Sequence, residues 1–439
     1  MNMFTLAQKS LLNRKSTVLL TLLTIAVSVM LLLGVERIRT QAKASFANTI
    51  SGTDLIVGAR TGSTNLLLYS VFRIGHATHN VSWQSYENII KHRTVKWAIP
   101  LSLGDSHKGF PVLGTTTDYF EHYKFGKKQP LAFAQGHAFE KPFDIVLGAA
   151  IAKKLGYKLN DKIVVSHGAG NTSFHHHDEH PFTVVGILKP TGTPLDKTLH
   201  LPLIAIDKMH GSSAQTPSYD HDHDHDHDHD HDHDHDHDHD HHNHDIDLIG
   251  EPKQITAFLL GLNSRIGVLS LQRSINTDAN LTKNEALLAI IPGLTLRQLW
   301  EMLSMVEQVL LVISGFVVVS GLLGMLTSLL TSLNQRRREL AILRSLGARP
   351  WQIGMLLVSE SVLLTATGCI IGIGLLYAVQ LATAAQLQEL SGLQLSLTWL
   401  TQHEILLIAG VLLSGLLVGL IPAWRAYKYS LSDGMSIRV

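Results

Sequence analysis

The sequence predicts an α-helical membrane protein with four transmembrane helices and a large α/β domain inserted between the first and the second. Three observations predict it. Four long runs are apolar and nearly free of charge, one near the N-terminus and three near the C-terminus. The stretch 36–308 between the first and second runs is water-compatible and mixes β-rich with helical segments. The lysines and arginines that flank the runs gather on one side of them. With 16% charged residues and a mean hydropathy of +0.15, the 439-residue chain is too apolar for a disordered or nucleic-acid-coating protein. A single cysteine excludes a disulfide scaffold and a cysteine-ligated zinc fold. The formal charge of zero hides an imbalance. Of the 36 acids, 13 lie within 220–247, so the rest of the chain sets 23 acids against 36 basic residues, a net of +13.

The first span, 17–35 (TVLLTLLTIAVSVMLLLGV), carries no charge and has the length that a hydrocarbon core of roughly 30 Å demands at about 1.5 Å per residue. A secretory signal is the competing reading, because Lys9, Arg14 and Lys15 precede the run and Ala42-Lys43-Ala44 resembles a cleavage site. The run is longer than the roughly 7 to 15 residues of such signals, and Glu36, Arg37 and Arg39 separate it from that site. The other spans are 309–333, 353–379 and 405–421, each too long and too apolar for an ordinary core helix.

Topology follows from the basic residues. Lys9, Arg14 and Lys15 precede span one, Arg336, Arg337, Arg338, Arg344 and Arg349 lie between spans two and three, and Arg425, Lys428 and Arg438 follow span four. The stretch 381–403 has no lysine or arginine. The positive-inside rule then makes the amphipathic segment 1–16, the loop 334–352 and the tail 422–439 cytoplasmic, and the domain 36–308 and the loop 380–404 external. In a bacterium this is a multi-pass protein of the inner membrane with both termini cytoplasmic. Inside 36–308, strands are expected near 162–165, 182–188 and 255–260, with helices at 146–155, stopped by Gly156, and at 284–291.

The spans themselves are plain. Glu360 is the one clear acid inside span three, either snorkelling toward the interface or hydrogen-bonded to a neighbouring helix, with a coupling or packing role as the alternative, and Ser314, Gly315, Ser320, Gly321, Gly324, Gly368, Gly372 and Gly374 permit close helix approach. Such helices suit a device that rocks better than one that threads a hydrated ion.

Between spans two and three the helical pattern of the loop puts Leu340, Leu343 and Leu346 near one face, leaves Glu339 and the arginines exposed, and ends at Gly347. This ELAILRSLGA core, with GLLVGLIPAWRA from Gly415 to Ala426, resembles the FtsX-like permease family, which includes the macrolide exporter MacB and the lipoprotein-releasing Lol permeases. The inserted domain adds to the resemblance through DLIVGA (54–59), VLGAAIAKKLGYKLNDKIVV (146–165) and VVGILKPTGTPLD (184–196). The resemblance implies a dimeric membrane subunit of a mechanotransmission-class transporter, paired with a second copy or a related chain. It also implies that Arg338, Glu339, Leu340, Leu343, Arg344, Leu346, Gly347 and Ala348 belong to a coupling helix seated on an ABC ATPase. The chain has no G-x-x-x-x-G-K-[ST] phosphate loop, so ATP is expected on a separate subunit, as in the Lol and FtsX arrangements, and the chain is read as a transporter subunit rather than an enzyme.

The histidines point to a metal. From 220 to 241 aspartate and histidine alternate, and the run closes with His242, Asn243, His244 and Asp245. With no apolar side chain the 219–245 loop has nothing with which to build a core, and it reads as a tether. His221, His223, His225, His227, His229, His231, His233, His235, His237, His239, His241, His242 and His244 are candidate metal ligands, each with a carboxylate nearby to orient the ring. A solvated spacer and a pH-sensitive polyelectrolyte are the alternatives. A second histidine-rich loop, 167–180, supplies His175, His176, His177 and His180. Zinc is the first choice on availability, with copper and nickel equally suited to imidazole, and no intrinsic cofactor is expected. The histidines outside these loops are assigned no role.

The expected function is therefore a permease subunit that handles a transition metal, most simply zinc, together with a separate ATPase and a periplasmic metal-binding protein. The alternative is a mechanical transmitter that extracts or exports a lipoprotein, peptide or amphiphile, or that activates a cell-wall hydrolase. Nucleic acid is not an expected partner, because the basic clusters flank membrane spans.

Overall fold

The computed structural model describes residues 15–167, 181–206, 251–335, 342, 345, 349–391 and 398–428. It divides into two compact units, one of 1–45 with 299–439 and one of 46–298.

Among the described residues, four helices are long and apolar enough to cross a membrane: TM1 (Lys15–Thr49), TM2 (Pro292–Gln335), TM3 (Pro350–Ser391) and TM4 (Gln402–Lys428). All four outrun the expected spans. TM1 continues 14 residues past position 35, because ERIRTQAKASFANT holds no glycine or proline and keeps good helix formers despite its charges. TM2 starts with Pro292 at its first position, where the ring costs no hydrogen bond. Two expectations are corrected. The stretch 380–404 is not all loop, since LATAAQLQELS continues TM3 to Ser391, and the tail 422–439 begins as helix, since TM4 passes through Pro422 to Lys428.

Small residues let these helices touch. A Cβ on Gly372 would stand 2.7 Å from Ala26 O on TM1, and one on Gly419 would stand 1.9 Å from Ser361 Oγ on TM3. Gly321 faces Ser28, whose Oγ donates to Val317 O at 3.0 Å. A Cβ on Gly315, Gly324 or Gly374 would meet nothing within 4 Å among the described residues. Ile25, Val29, Leu33, Met325, Leu329 and Leu364 form the buried heart of the bundle.

The inserted unit is built on an eleven-stranded mixed sheet. Its path runs Leu287–Ile290, Leu55–Ala59, Ala257–Leu262, Val95–His107, Phe110–Thr115, Leu199–Pro202, Asp144–Leu147, Phe182–Leu188, Phe133–Gly136. The 13-residue strand Val95–His107 joins the two halves: its first part pairs with Ala257–Leu262, and its last part with Phe110–Thr115 across a register shift between Leu103 and Ser106. Phe182–Leu188 lies parallel to Asp144–Leu147, and the helix Ala149–Leu155 lies between them in sequence, ending on Gly156 at φ 73°, where a left-handed residue closes the last turn. Two apolar clusters cover the sheet, one around Leu55, Phe258 and Leu271, the other around Ile145, Ile151 and Phe182.

Two sequence expectations change here. The helix expected over 146–155 begins only at Ala149, because Val146 and Leu147 belong to the strand Asp144–Leu147. The segment 284–291 is not a helix, since Leu287–Ile290 is a strand whose Ile290 pairs with Ile56 and whose Leu287 pairs with Ala59. LLAI satisfies either periodicity over so short a run, and burial of Leu287, Ala289 and Ile290 against the sheet decides it.

Candidate functional site

The expected coupling residues Arg338, Glu339, Leu340, Leu343, Arg344, Leu346, Gly347 and Ala348 lie outside the described residues. Of that loop, Ile342 and Ser345 are helical and exposed, and Gln352 Oε1 accepts from Arg349 N at 2.9 Å as TM3 begins. Every candidate metal ligand, His175, His176, His177 and His180 as well as the histidines of 221–244, also lies outside them. What the structure places are the points where those loops leave the fold. The first departs from Ser166–His167, whose register partners on the long strand are Ser106 and Asp105, and resumes beside Phe182, which pairs with Ile163. The second departs after Leu199–Pro202 and resumes before Gln254–Ile255, which pairs with Val81–Ser82.

The most developed polar site among the described residues lies in the membrane unit, where TM1, TM3 and TM4 meet around Arg37. Arg37 is two residues past the expected first span, and its side chain is 4% exposed. Its Nε donates to Glu404 Oε1 at 3.0 Å, its Nη1 to Gln380 Oε1 at 2.8 Å, and its Nη2 to Tyr377 Oη at 3.2 Å and Thr398 O at 2.9 Å. The guanidinium also lies 4.8 Å from the centre of the Tyr377 ring. Glu404, 1% exposed, has a second task. It accepts from Thr401 N at 2.8 Å while Thr401 Oγ1 accepts from Glu404 N at 3.3 Å, a reciprocal capping box that starts TM4. One buried cation therefore ties the C-terminal parts of TM1 and TM3 to the N-terminus of TM4.

A second, more exposed network joins TM1 to TM2. Glu307 takes Lys43 at 2.8 Å and Arg39 at 3.6 Å, and Arg39 also reaches Glu36 at 2.8 Å. Sequence reading treated Glu36, Arg37 and Arg39 as a mere flank. The Thr401-x-x-Glu404 signature could have marked a helix start that the reading of 380–404 as loop passed over, but the pairing of Arg37 with a residue 367 positions away had no local signal. Glu360 is buried in TM3.

The inserted unit handles its polar groups differently. His200 is fully buried among Tyr119 and Phe120, and burial pushes its imidazole down to about 3. His107 lies against Val164 O at 2.6 Å and Tyr157 Oη at 2.9 Å, and burial lowers it too. A cavity of about 660 Å³ opens between the segment from Tyr69 to Asn80 and the turn from Leu103 to Val112, with Arg73, His76 and Asp105 on its wall. Among the described residues, Asp118, Glu121 and His122 bring ligand atoms within 4.8 Å of one another, but both carboxylates are exposed and nothing beside them indicates an ion.

Comparison with known proteins now decides the family. Residues 18–222 match the MacB-like periplasmic core domain, and residues 311–431 match the FtsX-like permease C-terminal domain, in that order and over about three quarters of the chain. The chain belongs to the MacB-like, FtsX-like permeases. A stretch of 119 residues, 26% of this permease, is 34% identical to the uncharacterized ABC transporter permease YknZ of Bacillus subtilis (strain 168) and covers 28% of that relative's length. Among solved structures, the periplasmic region of MacB from Actinobacillus actinomycetemcomitans aligns at 12% identity and a TM-score of 0.34, over 58% of this permease and 94% of that chain. The extracellular domain of the noncanonic transporter YknZ aligns at 13% and 0.30, over 54% and 98%. The expected architecture, one membrane helix, an α/β domain and three further helices, is the one found.

Proposed function

We propose that this permease is the membrane subunit of an ABC transporter whose ATPase is a separate polypeptide, with both termini and the 334–352 loop cytoplasmic and the inserted unit outside. The match of an FtsX-like C-terminal domain behind a MacB-like inserted domain carries the reading. In it, Arg338, Glu339, Leu340, Leu343, Arg344, Leu346, Gly347 and Ala348 rest on the ATPase and pass its closure to the helices, and a second permease copy completes the assembly. Co-expression with the ATPase tests it: Leu343→Asp is expected to abolish co-purification, and retention of the ATPase by that variant overturns the reading.

The cargo reading is zinc, supported by the alternating aspartates and histidines of 220–241 and by the second loop with His175, His176, His177 and His180. The outer unit receives or passes the ion there, with copper and nickel as competitors and a periplasmic metal-binding protein as partner. A deletion strain complemented with the full chain or with the chain lacking 219–245 tests this by zinc-limited growth and cell-associated zinc. Equal zinc handling by the deletion strain and the wild type rejects it.

One observation favours mechanical transmission over ion passage through the helices. Arg37 is spent on Glu404, Gln380 and Tyr377, as a structural tie rather than a waiting site. On this second reading the cargo is a lipoprotein, peptide or amphiphile, or the outer unit acts on a cell-wall hydrolase. Reconstituted vesicles that release an acylated cargo on ATP without moving zinc would establish it.

A further inference from the structure

We propose that the cavity of about 660 Å³ in the inserted unit is a receptor site for a small zwitterion with an apolar body, whose carboxylate sits on Arg73 and whose ammonium faces Asp105. The site goes beyond both cargo readings and rests on neither, since every residue it uses belongs to the inserted unit.

One wall holds a cation on an unusual backbone. Leu68–Phe72 forms a π-helix, a rare turn that gathers at functional sites. Arg73 closes it at φ 60° and ψ 30°, a left-handed conformation that few residues other than glycine adopt, and Ile74 N donates back to Leu68 O at 3.1 Å. The Arg73 side chain is half-buried and its Nη1 donates to Ser70 O, yet among the described residues no carboxylate pairs with it. A guanidinium offers five donors in a planar fork that matches the edge of a carboxylate.

The facing wall is made by a bulge. Leu103 pairs with Leu113 and Ser106 with Pro111, so three steps along one strand answer two along its neighbour. A regular strand sends neighbouring side chains to opposite faces, but here Leu103, Gly104, Asp105 and Ser106 all border the cavity, and Gly104 at φ 141° supplies the backbone freedom. Asp105 is only 5% exposed, and a carboxylate has about four lone-pair sites, enough to receive an ammonium beside another donor.

Between the two poles Tyr69, Pro111 and Val112 make the lining apolar, and the volume falls within the roughly 300–1,000 Å³ of pockets that enclose small organic ligands. The paired poles also set the ligand class. A simple anion held by Arg73 would meet Asp105, and a metal ion held by Asp105 would meet Arg73, each a like-charge contact that works against binding. A zwitterion satisfies both walls.

Calorimetric titration of the full chain in detergent micelles, with EDTA present, tests the site with leucine, leucyl-leucine and inorganic phosphate. The tighter of the first two tells a free amino acid from a peptide end as the source, and its amide and its N-acetyl derivative are each expected to bind about tenfold or more weakly. Arg73→Gln is expected to erase the difference between that compound and its amide, and Asp105→Asn the difference from its N-acetyl derivative. Should these variants fail to fold, protection of Ala77→Cys from a maleimide by the same compound, in a Cys369→Ser background, locates the ligand instead. Absence of binding by both zwitterions, equal binding of the derivatives, displacement by equimolar phosphate, or unprotected Ala77→Cys overturns the site. Binding that survives deletion of 219–245 is expected and stands whatever becomes of the zinc reading, whereas binding lost with that tract places the ligand there and overturns the cavity.

Discussion

The two units of this permease treat buried polar groups in opposite ways. The membrane unit buries an ion pair and satisfies it, with Arg37 and Glu404 almost wholly enclosed and each holding further partners. The inserted unit buries histidine and empties it of charge, with His200 driven down to about 3 and His107 lowered in the same direction by burial. The difference follows from what each unit has to spare. A bundle of apolar helices has few polar groups, so a cation can be held only where several helix ends bring acceptors together. An eleven-stranded sheet has large apolar cores, and a neutral ring inside one costs little until a proton is offered.

The comparison breaks most visibly at the ion pair. Arg37→Leu leaves Glu404 enclosed without its cation, and loss of one partner of a buried pair costs about 3–5 kcal/mol. The expected outcome is a strongly lowered melting temperature of the detergent-solubilised protein. The double change Arg37→Leu with Glu404→Leu is expected to recover much of it, although the capping box is lost. Equal melting of Arg37→Leu and the parent protein would show that the cluster carries no load.

The second prediction uses acid. His200 is neutral in the fold, whereas the unfolded chain takes a proton on it below about 6.5. Stability from this site is therefore complete above pH 6.5 and declines as pH falls toward 3, by an amount on the order of 2 kcal/mol at pH 4.5, and His107 acts with the same sign. The protection factors of peptides covering 119–123 and 199–202, with the intrinsic exchange rate at each pH divided out, are expected to fall between pH 7 and 4.5. His200→Leu should flatten that dependence, whatever it does to stability at pH 7. An unchanged slope in the variant would place the acid sensitivity elsewhere.

These two sites also mark how far the sequence could be read. Four membrane helices and their spacing were legible because span length and apolarity are local properties, and Gly156 was legible as a helix stop for the same reason. The extensions of TM1 to Thr49 and of TM2 back to Pro292 escaped, since Glu36, Arg37, Arg39 and Glu307 interrupt the apolar signal without interrupting the helix. Leu287–Ile290 was misread because four apolar residues satisfy a helix or a strand, and only the partner at Leu55–Ala59 distinguishes them. Arg37 and Glu404 were both visible as residues but not as a pair, because their meeting is a property of three helices.

A smaller effect is expected where helices meet by size alone. Gly419→Ala puts a Cβ 1.9 Å from Ser361 Oγ, and overpacking of this kind costs about 1–3 kcal/mol. Ser361→Gly in the same chain makes room and is expected to return the melting temperature most of the way. Without rescue, the contact between TM3 and TM4 at this level would not be the origin of the loss.

The smallest effect on the fold is expected from the largest deletion. Removing 219–245 takes away 13 of the candidate ligands, and stability is expected to change by less than about 0.5 kcal/mol, as for surface segments remote from a core. The described strands on either side support this. Leu199–Pro202 is held by Val112 to Thr115 and by Val146 and Leu147, and Gln254–Ile255 by Val81–Ser82, none of them in the tract. Zinc titration of the same deletion by calorimetry is expected to lose most of its sites while His175, His176, His177 and His180 keep a remainder. A deletion that melts the sheet would make the tract part of the fold, whereas one that melts nothing and binds zinc undiminished would move the metal to other residues of the inserted unit.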